Sequence, residues 1–106
     1  MGSGPRVVLP VELEILREKA ASLGRVGERL EASLARLAEL GRRFAAAREE
    51  TERAWLAERY REEWARAARL RYYLIVQREA IGFRRHADVD RVYPLPPPRP
   101  EPAGDD

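Results

Sequence analysis

Two stripes of apolar residues with helical period run along this chain. In the first, Leu16, Leu23, Leu30, Leu37 and Phe44 recur every seven residues, and Leu13, Ala20, Gly27, Leu34 and Gly41 fill the intervening column. This is the spacing of a helix that offers one seam to a neighbour, and large residues facing small ones allow close approach. Each of Gly24, Gly27 and Gly41 costs a helix about 1 kcal/mol relative to alanine. The register passes through 27 and 41 without a slip, so helix is predicted there, with residues 24–27 as the place for a bend.

Beyond Phe44 the same register would bring Arg48, Thr51 and Glu58 into the seam. A second stripe takes over instead, Ala57, Tyr60, Trp64, Ala67, Leu74 and Ile81, interrupted by Arg71 and Arg78. It is wider and more aromatic than the first. The phase shift within residues 45–56 divides the helical stretch into arms of similar length, about 11–44 and 47–82, as an antiparallel hairpin requires. Against a turn stands Ala45-Ala46-Ala47-Arg48-Glu49-Glu50, a run of helix formers without Gly, Pro or Asn. A continuous helix over residues 11–81, about 105 Å long at the usual rise, or a three-helix arrangement broken near Gly24, therefore stays open beside the hairpin. Glu39 with Arg43, Glu49 with Arg53 and Glu62 with Arg66 are spaced to pair across one helical turn on solvated faces.

The ends have a different character. Pro10 suits the first helical position and Glu12 and Glu14 the first turn, while Gly82 suits a helix stop. Residues 1–10 read as an extended arm whose Val7, Val8 and Leu9 staple the first helix or add to a partner's sheet edge. Residues 83–106 read as a basic, then proline-rich and acidic tail. Pro94 to Pro102 is polyproline II by composition, with the acidic end Asp105 and Asp106 expected to be unstructured. The fold class is thus all-α: a long antiparallel, coiled-coil-like helical hairpin in residues 11–82, with an extended N-terminal arm and a proline-rich C-terminal tail.

Composition sharpens this picture in three respects. With 106 residues the chain supports one small core, which favours oligomerisation. It has no cysteine, excluding disulfides and thiolate chemistry. Residues 1–10 lack the basic and apolar regions of a signal peptide and the longest apolar run is five residues, 72–76, so a cytoplasmic location and no membrane contact are expected. The net charge of +2 and a basic set that is arginine but for Lys19 argue only weakly for nucleic acid.

Candidate chemistry concentrates in Arg69 to Tyr93, where Tyr72, Tyr73, Phe83 and Tyr93 interleave with Arg69, Arg71, Arg78, Arg84, Arg85 and Arg91, within a local excess of positive charge from Arg59 to Arg91. Arg71, Arg78 and Arg85 would form one basic stripe if the helix ran on through 85. Such a surface suits an acidic protein face, or phosphates and stacked bases. Glu62, Glu63, Glu79, Asp88 and Asp90 are available to neutralise much of it. His86 and Asp90, four apart, fall short of a metal site, and no nucleophile–base pair or phosphate-binding glycine loop is present. No catalytic residue, metal or cofactor is expected. Pro94, Pro97 and Arg99 match the Pro-x-x-Pro-x-Arg spacing read by SH3-type grooves, and Tyr93 and Leu95 could instead fold back onto the helices.

The reading that results is a non-catalytic helical adaptor or scaffold subunit acting through protein–protein interaction. It self-associates through Leu13, Leu16, Ala20, Leu23, Gly27, Leu30, Leu34, Leu37, Gly41 and Phe44. It docks a protein partner through Trp55, Tyr60, Trp64, Arg71, Tyr72, Tyr73, Arg78, Arg84, Arg85, Tyr93, Pro94, Pro97 and Arg99. The alternative is a small nucleic-acid-associated protein using the segment 59–91.

Overall fold

A computed structural model describes residues 8–104. Within it α1 (Pro10–Ala46) and α2 (Glu50–Ala80) lie side by side, antiparallel, and a short α3 (Ala87–Val92) leads into a proline-rich segment without regular secondary structure that bends at Pro98 and Arg99. The hairpin is therefore the arrangement adopted, and the continuous rod is not. The particle measures 71 × 25 × 15 Å with a radius of gyration of 19.5 Å, far above the ~13 Å of a compact chain of this length. Val7, Asp105 and Asp106, assigned above to the arm and the acidic end, lie outside the described residues.

Helix α1 starts where proline chemistry dictates. Leu9 has φ −69° and ψ 150°, the extended backbone that a following proline imposes, and Pro10 opens the helix without forfeiting a needed N–H. The helix continues through Gly24, Gly27 and Gly41 to Ala46. The turn of residues 47–49 is made without glycine, by Ala47 and Glu49 in extended conformations. Local propensity opposes it, and Arg53 overrides that propensity. Its guanidinium donates to the carbonyl oxygens of Ala47 at 2.9 Å and Phe44 at 3.2 Å and stacks 4.4 Å from the Phe44 ring, satisfying acceptors that the end of α1 leaves open.

At the other end of α2, Gly82 takes φ 104°, a conformation only glycine adopts at no cost. Phe83 N–H then reaches the Arg78 carbonyl at 3.0 Å and Gly82 N–H that of Glu79 at 3.1 Å, the paired bonds of a glycine-terminated helix.

The core differs from the expected seam by one column in each helix. Leu30 and Leu37 in α1 and Tyr60, Ala67 and Leu74 in α2 are buried as anticipated, but so are Val26, Ser33 and Leu56, which lie outside the expected stripes. The hidden columns are thus 26/33 with half-buried Leu40 in α1, and 56 with half-buried Glu63, Leu70 and Gln77 in α2. Polar members of this interior are paired across the hairpin: Ser33 Oγ donates to Glu63 Oε2 at 2.5 Å, Arg36 Nε to Glu63 Oε1 at 2.9 Å, and Ser22 Oγ to Gln77 Oε1 at 3.3 Å. Burial pushes the Glu63 carboxyl up, yet the hydrogen bonds from Arg36 and Ser33 and the charges of Arg36 and Arg66 outweigh it and leave its pKa below the ordinary value.

Exposed charge pairing also departs from expectation. The pairs are three residues apart, Glu39 with Arg42, Glu58 with Arg61 and Arg59 with Glu62. Arg43, expected beside Glu39, lies over the Trp55 ring, and Arg53, expected beside Glu49, serves the turn. Among the described residues no helix is long and apolar enough to cross a membrane.

Candidate functional site

The columns left over by this core, Gly27, Leu34 and Gly41 on α1 and Trp64 and Arg71 on α2, face a third layer built by residues 83–104. Its first anchor is Val89 of α3, which is buried in the common core. Tyr93 then lies across Gly27, where a Cβ would come within 2.8 Å of the phenolic oxygen. Further along, Trp64 Nε1–H donates to the carbonyl oxygen of Pro96 and Tyr60 Oη–H to that of Pro97, each at 2.8 Å. Burial, and then the charge of Glu101, raise the Tyr60 pKa, so the phenol stays protonated and a donor at neutral pH. Between the proline segment and α1 lies an open cavity of about 740 Å³ bordered by Leu34, Ala38, Gly41, Tyr60, Pro97 and Pro102.

Arginines of the second arm hold the same layer. Arg71 pairs with Asp90. Arg78 donates to both carboxylate oxygens of Asp88 at 3.1 Å, to the Arg85 carbonyl at 3.1 Å and to His86 Nδ1 at 3.3 Å, with its guanidinium 4.7 Å from the Phe83 ring. Because α2 ends at Ala80, Arg85 does not extend a helical stripe from Arg71 and Arg78. Arg84 and Arg85 are exposed in the loop. His86 and Asp90, the spacing weighed above for a metal, point to Arg78 and Arg71, and no cluster of potential metal ligands occurs among the described residues.

The residues expected to meet a partner therefore divide. Tyr60, Trp64, Tyr93, Arg71 and Arg78 are engaged within the chain. Trp55, Tyr72 and Tyr73 are exposed on α2, Trp55 and Tyr73 along its border with α1, with Trp55 flanked by the guanidinium groups of Arg43 and Arg59. Pro94, Pro97 and Arg99 are exposed at the surface of the tail, although Leu95, Pro96 and Pro100 are half-buried.

The expected self-association seam divides as well. Leu30 and Leu37 are buried inside the hairpin, Gly27 is buried beneath Tyr93, and Leu23, Leu34, Gly41 and Phe44 are half-buried. Leu13, Leu16 and Ala20 are exposed, as is every residue of 10–21 except Glu12. The cause is length. Ser22 faces Gln77, and α2 ends three residues later at Ala80, so the first nine residues of α1 run about 13 Å past the end of α2. On this overhang Leu9, Leu13, Leu16 and Ala20 continue the phase of Leu23 and Leu30. Val8, Val11 and Ile15 make a second stripe roughly a third of a turn away. All six of these large side chains are 42–59% exposed.

The tail contacts were missed by periodicity because main-chain carbonyls in a proline run carry no side-chain pattern. The available signal was indirect: a stripe on α2 too wide for a single neighbour. No known family model, curated protein or solved structure matches this chain.

Proposed function

We propose that the chain is a non-catalytic, cytoplasmic helical subunit that acts by protein–protein association, pairing with a second copy through the overhanging start of α1 and offering the exposed Trp55, Tyr72 and Tyr73 of α2 to a protein partner. The observation that carries this reading is the bare stripe Leu9, Leu13, Leu16 and Ala20, in phase with the core but uncovered by any of the described residues. The overhang is self-complementary when two copies pair antiparallel. Leu13 of each then faces Leu16 of the other, Leu9 faces Ala20, and Glu12 and Lys19, which share one flank, lie opposite each other twice by symmetry.

Magnitude argues for a concentration-dependent assembly. Completing the burial of three half-exposed leucines on each copy contributes roughly 6 kcal/mol at the usual value per side chain. That is at the low end of the ~4–15 kcal/mol cost of association. The second stripe, Val8, Val11 and Ile15, adds to the balance when a neighbouring helix covers it. Support for a protein rather than a phosphate partner comes from Arg71 and Arg78, whose charges are already met by Asp90 and Asp88.

The test is light scattering on the full chain over a wide concentration range, with Leu13→Asp and Leu16→Asp together as the variant. The wild type is expected to pass from monomer to dimer and the variant to stay monomeric with unchanged helix content, since both side chains are outside the core. A wild type that remains monomeric at several hundred micromolar, roughly the weakest useful range for such a contact, would refute the pairing.

A further inference from the structure

The proline segment is held in a way that specifies what the groove recognises. We propose that the face formed by α1 and α2 is a binding site for proline-rich peptide, with residues 94–97 of the same chain, ahead of the bend at Pro98 and Arg99, as its resident ligand. This does not depend on the pairing of α1 overhangs.

Three observations carry it. First, both polar contacts are read from the main chain: the indole of Trp64 donates to the Pro96 carbonyl and the hydroxyl of Tyr60 to that of Pro97. A polyproline II strand forms no internal hydrogen bonds, so its carbonyls are available as acceptors, and aromatic-lined grooves with such donors are the usual receptors for it. Second, Tyr60 and Trp64 are one helical turn apart while their acceptors run in the opposite sense, 97 then 96. The strand is thereby fixed antiparallel to α2 and parallel to α1. Third, the α1 floor is cleared for it. Gly27 admits the Tyr93 ring and Gly41 the edge of Tyr60, whose Cε2 would lie 3.8 Å from an added Cβ.

The resident strand leaves the groove incompletely filled, since the cavity beside it is walled by Leu34, Ala38 and Gly41. Recognition through carbonyls and pyrrolidine rings does not demand this particular sequence. A proline-rich segment of another protein meets the same donors, and one with larger apolar side chains fills the cavity better. The internal strand competes from an effective concentration of order millimolar, because only a few residues tether it to α3. The intact chain is thus a guarded receptor, opened by whatever draws its tail away.

The experiment uses the full-length chain with Leu95→Asp, Pro96→Ser and Pro97→Ser, which keeps the carbonyls but removes two pyrrolidine rings and the half-buried Leu95 side chain, so that the tail is expected to leave the groove, with Tyr93 and both helices unaltered in sequence. The probe is the synthetic peptide Pro-Leu-Pro-Pro-Pro-Arg-Pro-Glu-Pro, with a version carrying alanine for every proline as control. Binding is read from the indole N–H resonances of Trp64 and Trp55. In the tail variant the peptide is expected to shift Trp64 and not Trp55, and the alanine peptide to shift neither. The wild type should need at least roughly tenfold more peptide, given its tethered competitor. An additional Trp64→Phe change should weaken binding of labelled peptide by roughly tenfold, the value of one hydrogen bond.

A tail variant that keeps its helix content and leaves Trp64 unmoved at millimolar peptide would overturn the proposal. If the variant loses helix content, the decision passes to the wild-type tail with Tyr60→Phe alone, read at the Trp64 indole N–H that is bonded to the Pro96 carbonyl. Several-fold faster exchange of that indole N–H, with helix amides unchanged, supports a segment held by the two donors together. Unchanged exchange of the indole N–H overturns it.

Discussion

Two glycines three residues apart on α1 are expected to respond in opposite ways to the same substitution. At Gly24 an added Cβ meets nothing within 4 Å, so Gly24→Ala should realise the full difference in helix propensity, about 0.8–1.0 kcal/mol in favour of the variant. For a domain of this size that corresponds to a rise in melting temperature of roughly 4–8 °C. At Gly27 the propensity gain is the same, but the new Cβ would stand 2.8 Å from Tyr93 Oη. An ordinary carbon–oxygen contact is about half an ångström longer, and an overpacked site costs typically 1–3 kcal/mol. Tyr93 yields poorly, because its backbone N–H is bonded to the Val89 carbonyl at 2.8 Å and Val89 is buried. Gly27→Ala is therefore expected to be neutral to about 2 kcal/mol destabilising.

The hydroxyl alone makes the difference, and removing it tests the cause. With Tyr93→Phe the nearest ring carbon lies 3.6 Å from the Cβ, ordinary van der Waals contact. Gly27→Ala combined with Tyr93→Phe should then recover most of the propensity gain, giving a coupling of about 1–3 kcal/mol between the two positions. Urea unfolding followed by far-ultraviolet circular dichroism measures all four chains of the cycle and the Gly24→Ala reference. If Gly27→Ala stabilises the wild-type chain as much as Gly24→Ala does, Tyr93 does not lie on α1 and the third layer is wrong.

Two further outcomes follow from the hairpin itself. Leu30 is fully buried, so Leu30→Ala should cost about 2–5 kcal/mol, whereas Leu13→Ala, on the overhang, should change the unfolding free energy of dilute protein by no more than about 0.5 kcal/mol. Similar losses at both positions in urea titrations would contradict the division of one seam into core and surface. The Glu63 carboxyl has a pKa below its ordinary 4.5, so it binds protons less readily folded than unfolded. Its stabilisation is complete above about 4.5 and disappears as pH falls through the lower folded value. Melting temperature measured against pH should fall across that acidic window in the wild type and fall less steeply in Glu63→Gln; equal slopes would mean that Arg36 and Ser33 do not hold the carboxylate.

The heptad made the two helices and their approximate limits readable, since the expected arms 11–44 and 47–82 became Pro10–Ala46 and Glu50–Ala80. It found one of the two columns that each helix hides, Leu30 and Leu37 on α1 and Tyr60, Ala67 and Leu74 on α2, and missed the other, and polar residues explain why. Ser33, Glu63 and Gln77 occupy hidden positions, so a search for apolar residues passes over that column and selects its neighbour, 27/34/41 on α1 and 57/64/71 on α2. Ser33 is fully buried only because Glu63 accepts its hydrogen bond, and Glu63 is tolerated there only because Arg36 reaches in from a half-exposed position. That interdependence lies 27–30 residues apart in sequence and has no local signature.

The apolar column selected in its place has a purpose of its own. Gly27 and Gly41 are small where Tyr93 and Tyr60 need room, and Trp64 presents its indole where a proline carbonyl arrives. One seven-residue pattern thus serves three neighbours: α2 through Leu23, Leu30 and Leu37, the proline strand through the adjoining column, and open solvent along Leu9, Leu13 and Leu16. Only the last of these has its apolar surface uncovered by the described residues. Hairpins that need nothing more than mutual burial end their helices together; here α1 continues for more than two turns beyond α2 with its stripe kept in phase. That uncovered, in-register seam is the observation on which the proposed pairing rests, and it makes the start of α1 the place to test it first.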